Sequence, residues 1–195
     1  RSLMLMVKVD GVVVIRRWSV DSCEVCFFFQ AEDGIRCLVR SRGLGDVYKR
    51  QVLSVIDGDT IDVRVGGQVV SVRLLGINTP EVPGPYRTAQ CFGNEASANA
   101  KRLLAGATVY LQDDPQQDDK DQYGRWLRYV WLSDGRLFNL EAIAQGFALE
   151  YTYYKERPYS LNRVFRDAQR LAQEQQLGLW SPQTCDGDIK RPPLS

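Results

Sequence analysis

Histidine is absent from this 195-residue chain. Its absence excludes Ser-His-Asp and Cys-His nucleophilic catalysis, imidazole general bases and histidine-ligated zinc. Catalysis, if present, falls to carboxylates, arginine, tyrosine, cysteine or a metal held by oxygen atoms. No run of about 18 apolar residues occurs, which excludes a transmembrane helix of ordinary length. Strong net charge is missing as well, at +1 overall, and the two parts of the chain differ in sign. Residues 1–51 carry 9 Lys/Arg and 6 Asp/Glu, leaving 16 basic and 18 acidic residues in the remainder, a balance of −2. Bulk charge therefore does not announce a nucleic-acid partner, and any such binding must use local cationic groups. At 44% hydrophobic and 25% charged, the chain can bury a core of one domain.

Residues 30–51 read QAEDGIRCLVRSRGLGDVYKRQ, preceded by Phe27-Phe28-Phe29. QAEDGIR and SRGLGDVYKRQ resemble conceptual translations of the two constant parts of a sequencing-library adapter, and the phenylalanines fit a poly-T run read in frame. Residues 1–51 are accordingly expected to be a chimeric, non-native segment, set aside from fold reasoning. Any true N-terminus and export signal then lie outside this sequence. The other reading is a genuine β-rich extension, since Val12-Val13-Val14-Ile15 is strand-like. Cys23, Cys26 and Cys37 fall in this segment, leaving Cys91 and Cys185. Such a pair suits one disulfide tying the tail to the loop before the first helix in an exported protein; two unpaired thiols are the alternative.

Beyond residue 51 the patterning predicts an α+β domain. Val52–Ile56, Thr60–Val65 and Gln68–Leu75 read as strands, with Gly66-Gly67 as a hairpin turn. Residues 78–93 read as a loop, and Asn94–Ala105 as a helix capped by Asn94 and stopped at Gly106. Thr108–Leu111 and Trp126–Leu132 are further strands around the acidic loop Asp113–Gln122. Leu137–Gln145 and Ser160–Gln176 are helices, the second amphipathic. The Pro-rich stretch 181–195 is expected to be a flexible tail.

Three segments carry the chemistry: Asp57-Gly58-Asp59-Thr60, Arg73 to Glu81 (RLLGINTPE), and Asp121-Gln122-Tyr123-Gly124-Arg125. Taken singly they are a hairpin turn, a proline-containing turn with an exposed glutamate, and a solvated loop charge. Together they supply hard oxygen ligands, a free carboxylate and two arginines, the kit for hydrolysing a phosphodiester with a calcium-type metal.

VIDGDTI, VRLLGINTPE, CFGNEAS, DQYGRWLRYVWL and GLW, in that order over residues 52–180, resemble the staphylococcal nuclease (thermonuclease) family. The resemblance implies a five-stranded OB-fold barrel with about three helices. It implies that Asp59, Asn78 and the Thr79 carbonyl bind Ca2+, with Asp57 and Thr60 supporting that turn. Glu81 would activate or orient the attacking water, while Arg73 and Arg125 bind the phosphate and its growing charge. Tyr123, Tyr151, Tyr153 and Tyr154 fall where nucleic acid is bound, and base stacking would favour single strands; packing around the last strand and helix is their plainer reading. The implied protein is a monomeric, secreted or cell-envelope nuclease acting on DNA and RNA.

Two positions depart from the family pattern. Asn78 stands where many members have aspartate, so calcium affinity is expected to fall. Gln122 stands where the archetype has lysine. A non-catalytic member that binds nucleic acid or protein is the competing expectation. Retention of Glu81, Arg73 and Arg125 together favours the enzyme.

Overall fold

The computed structural model describes residues 3–9, 12–18, 47–84 and 88–191. The chain divides into two compact units, residues 1–44 and 45–195. In the first, β1 (Leu3–Val9) and β2 (Val12–Trp18) pair antiparallel, from Leu3 opposite Trp18 to Val9 opposite Val12. Residues 27–46 of the adapter-like stretch lie outside the described residues.

The second unit is built on β3 (Val47–Val55), β4 (Thr60–Val65), β5 (Gln68–Leu74), β7 (Thr108–Gln112) and β8 (Trp126–Trp131). These close into a barrel in the order β3-β4-β5-β8-β7. All pairs are antiparallel except β5 with β8. With helices α1 (Gly93–Leu104), α2 (Phe138–Ala144) and α3 (Asn162–Glu174), this is an α+β OB-fold, as the sequence implies. Alternation decides which side chains fill the barrel. Ile61 and Val63 of β4, Val72 and Leu74 of β5, and Val109 and Leu111 of β7 are all buried. Leu104, Phe138, Ile143 and Phe165 extend this core into the helices.

Several expectations are corrected. β3 starts at Val47, not Val52, and residues 47–51 pair with β7 from Val47 opposite Gln112 to Gln51 opposite Thr108. The stretch Tyr48-Lys49-Arg50-Gln51 has no apolar alternation to reveal a strand, because it is joined through its backbone. Gln51 lies between both neighbours, opposite Thr108 of β7 and Arg64 of β4, and a bulge between Val52 and Ser54 shifts the register of the β3–β4 pair. Asn94 does not cap α1. Phe92 occupies the cap with φ 67°, without a side-chain bond, and the helix begins at Gly93. A Cβ at Gly93 would lie 2.3 Å from the Glu81 carbonyl oxygen, so only glycine allows that approach.

Over residues 181–191 the tail makes specific contacts with the body. Cys185 is bonded to Cys91, with Cα atoms 5.8 Å apart. Gly187 N–H donates to the Leu179 carbonyl and Cys91 N–H to the Ile189 carbonyl, each at 3.0 Å. The 3-10 turn Gly178–Trp180 starts this strap. Of the two alternatives the cysteine pair left open, the disulfide is the one formed, and these hydrogen bonds add to its hold on the tail. One further ladder has no periodic signal: β6 (Ile77–Asn78) pairs with β9 (Leu149–Glu150), two residues each. Among the described residues no helix is long and apolar enough to cross a membrane.

Candidate functional site

Asp59 is the hub where three distant segments meet. The turn Asp57-Gly58-Asp59 joins β3 to β4, and a Cβ at Gly58 would fall 2.6 Å from Thr79 Cγ2. Glycine therefore lets the turn close on the segment that follows β6. Asp59 Oδ2 accepts the Thr79 backbone N–H at 2.8 Å and pairs with Arg73 Nη2 at 3.2 Å. Its Oδ1 accepts from Thr60 Oγ1 at 3.1 Å, and its N–H donates to Asp57 Oδ1 at 3.1 Å. Asp57 and Asp59 are both buried, at 8% and 5% exposure. Burial, with Asp57 close by, pushes the Asp59 carboxyl up to about 6, against the pull of Arg73 and the Thr79 N–H. A buried carboxylate held above its ordinary range gains from any further cation placed beside it.

Arg73, near the end of β5, spends its guanidinium on the turn that follows. Nη1 donates to the carbonyls of Leu74 and Ile77 at 2.9 and 2.8 Å, and Nη2 donates to Asn78 Oδ1 at 3.2 Å. The β6–β9 ladder holds the Asn78 backbone opposite Leu149. Asp57, Asp59, Thr60, Arg73, Asn78 and Thr79 are thus brought into one hydrogen-bonded group.

Glu81 follows two residues after Thr79. Its N–H donates to Gln90 Oε1 at 2.8 Å, and its carbonyl accepts the Gln90 N–H at 3.0 Å. Arg125 precedes β8. It stands two residues before Leu127, the residue in register with Arg73. Its guanidinium is held by Asp121, Nε to Oδ2 at 2.7 Å, and lies over the Tyr123 ring at 5.4 Å. Among the described residues, the hydrogen bonds of Arg125 run to Asp121 and not to the Asp59 group. Burial would raise the Asp121 carboxyl, but bonds from the Arg125 side chain and the Arg125 and Tyr123 backbones prevail and hold it below its ordinary value.

Tyr123, Tyr151, Tyr153 and Tyr154 are all exposed. Tyr151 leaves β9 with its N–H on the Gly76 carbonyl at 3.0 Å, close in the chain to Asn78. The rings of Tyr151 and Tyr153 lie 6.4 Å apart, those of Tyr153 and Tyr154 4.7 Å, both edge to face. An aromatic cluster thus stands at the end of the strand that buttresses Asn78.

One contributor escaped the sequence reading, and another stood there in its motif without a role of its own. Gln90 holds the backbone of Glu81 and carries no motif signature. Asp121 organises its own turn, and its position four residues before Arg125 was the available signal. Among the described residues, no group of three or more His, Cys, Asp or Glu side chains is placed to hold a metal. The oxygen donors that the sequence reading nominates are two carboxylates, one amide and one backbone carbonyl. All are hard donors, which fit calcium or magnesium and not zinc.

A closed five-stranded barrel with a buried carboxylate turn locked to an arginine and an Asn-Thr-Pro-Glu exit defines a recognisable class of site. The family model described as staphylococcal nuclease homologue matches residues 71–182. The chain belongs to that family. It is 40% identical over 129 residues to a thermonuclease of Staphylococcus intermedius, covering 66% of this chain and 74% of the relative. Identity to a thermonuclease of Staphylococcus hyicus is 38% over 145 residues, covering 73% and 82%. An SPbeta prophage-derived endonuclease, YokF of Bacillus subtilis, is 34% identical over 126 residues, covering 65% of this chain and 42% of its own length.

Proposed function

We propose that this protein is a calcium-dependent nuclease that hydrolyses phosphodiester bonds of DNA and RNA without sequence preference, favouring single strands. The carrying observation is the Asp59 hub, where one buried carboxylate fixes both an arginine and the Thr79 backbone. Asp59, Asn78 and the Thr79 carbonyl would hold the cation, with Asp57 and Thr60 supporting the turn. Calcium bound there would polarise a phosphate oxygen. Arg73 and Arg125 bind the remaining phosphate oxygens and stabilise the charge that builds as water adds to phosphorus. Glu81 orients that water and receives its proton; the ester bond to the leaving oxygen then breaks. Tyr123, Tyr151, Tyr153 and Tyr154 stack on unpaired bases, which tolerates any sequence. The names of the relatives support nuclease chemistry, and the Cys91–Cys185 bond supports export to an oxidising compartment. The enzyme works as a monomer.

One observation favours a second reading, a non-catalytic nucleic-acid-binding domain: four groups of the turn already occupy the Arg73 guanidinium. Digestion of single-stranded DNA by the full chain, with calcium and with EDTA, separates the two. Calcium-dependent digestion, greatly slowed in Glu81→Gln, is expected of the enzyme. Binding without digestion by the folded protein at millimolar calcium would establish the second reading.

A further inference from the structure

Both backbone polar groups of Glu81 end on a single residue. Its N–H meets the Gln90 side chain at 2.8 Å, and its carbonyl meets the Gln90 N–H at 3.0 Å. Gly93 presses on the same carbonyl, leaving no room for a Cβ. The next residue after Gln90 is Cys91, bonded to Cys185. Cys91 also donates its N–H to Ile189, so the strap grips it twice. The strap is in turn fixed to the body. Leu179 N–H donates to the Gly146 carbonyl at 2.9 Å, and Cys91, Leu179 and Cys185 are buried together beside Phe92, Leu149 and Trp180. An unbroken line of contacts therefore runs from the end of α2, through the strap and the disulfide, to the peptide groups of Glu81.

A loop residue has no ladder of its own to fix it, and its position is only as good as its anchors. We propose that the Cys91–Cys185 disulfide and Gln90 form a positioning brace for Glu81, setting where its carboxylate stands at the active site. The inference rests on the reading of Glu81 as the group that handles the attacking water. Among the described residues, the hydrogen bonds of Gln90 and Cys91 reach neither the oxygen ligands nor the arginines. Its loss moves the Glu81 backbone while leaving the phosphate grip of Arg73 and Arg125 in place. Misplacement of a reacting group by about 1 Å costs on the order of a hundredfold in rate, so turnover suffers and substrate affinity does not.

The test uses the full chain in three forms: unaltered, Gln90→Met, and Cys91→Ala/Cys185→Ala. Methionine keeps the length of Gln90 without its oxygen and leaves the disulfide in place, so this variant speaks even if the double variant fails to fold. Single-stranded DNA cleavage at saturating calcium and hydrogen exchange at the Glu81 amide are measured below each variant's unfolding transition. The expected result is a kcat lowered about ten- to a hundredfold with KM changed less than about twofold, and Glu81 amide exchange at least about tenfold faster. Wild-type kcat and wild-type Glu81 exchange in folded Gln90→Met overturns the brace. A failure of the underlying reading looks different. If Glu81→Gln cleaves as fast as the unaltered chain, the role of Glu81 falls, while exchange at its amide still reports whether the brace holds it.

Discussion

Asn78 Oδ1 accepts a hydrogen bond from Arg73 Nη2 at 3.2 Å, and the same nitrogen pairs with Asp59. An amide here neither neutralises the guanidinium nor adds charge for a cation. Asn78→Asp supplies both, so half-saturating calcium for cleavage is expected to fall about tenfold, because calcium affinity tracks ligand charge. Calcium titration of the cleavage rate checks this; an unchanged midpoint would remove Asn78 from the ligand set.

Asp121 aims Arg125 by accepting its Nε at 2.7 Å and its backbone N–H at 3.0 Å. Asp121→Ala is expected to reduce kcat about tenfold, since the arginine survives but loses its orientation. Arg125→Ala should cost more, on the order of 10²- to 10³-fold, the scale of a lost transition-state donor. Single-turnover cleavage orders the two, and equal losses would show that Asp121 does more than aim.

Tyr153 is 59% exposed, with its ring edge to face against Tyr154. Tyr153→Ala is expected to weaken single-stranded DNA binding by about 1–3 kcal/mol, with little change in melting temperature. Fluorescence anisotropy in EDTA measures this without cleavage. Unaltered affinity would return the tyrosine to a surface role.

Tyr129 donates to Asp114 at 2.6 Å and Tyr159 to Glu150 at 2.9 Å. Burial, reinforced by these carboxylates, pushes both phenols well above their ordinary value of 10.0. In the unfolded chain they ionise near 10, while the folded protein keeps the protons. Their stabilisation is therefore complete below pH 10 and is lost as pH rises beyond it toward the folded values. Each phenol contributes a fall of about 1.4 kcal/mol per pH unit above that point. Urea unfolding between pH 9 and 11 should show a shallower fall for Tyr129→Phe; identical slopes would refute the assignment.

The parts of this molecule legible from sequence are those written as patterns. Thr60–Val65 has the predicted bounds because Ile61, Val63 and Val65 alternate with polar residues. The Asp57-Gly58-Asp59 and Asn78-Thr79-Pro80-Glu81 turns are motifs of fixed spacing, and the family resemblance they carry with Arg73 implied a grouping of Asp59, Arg73 and Thr79 before their geometry was seen. What escaped depends on chain-distant partners. Residues 47–51 gain their strand character from β7, and Ile77–Asn78 from Leu149–Glu150. Gln90 acts because folding sets it against Glu81. Neither composition nor periodicity encodes a partner many residues away; the cysteine pair pointed to the sulfur bond at the tail, but not to the hydrogen bonds of the strap around it.

That sulfur bond encloses 94 residues of separation, from the start of α1 to the end of the strap. The ring includes the exposed acidic connection between β7 and β8, with its Asp118, Asp119 and Lys120. A protease that cuts this connection yields two pieces that cannot part, since the sulfur link joins them across the cut. Such a nicked molecule runs as one covalent body without reductant and as two fragments with it. The barrel can thus be severed at this exposed crossing and still keep all its strands within reach of one another.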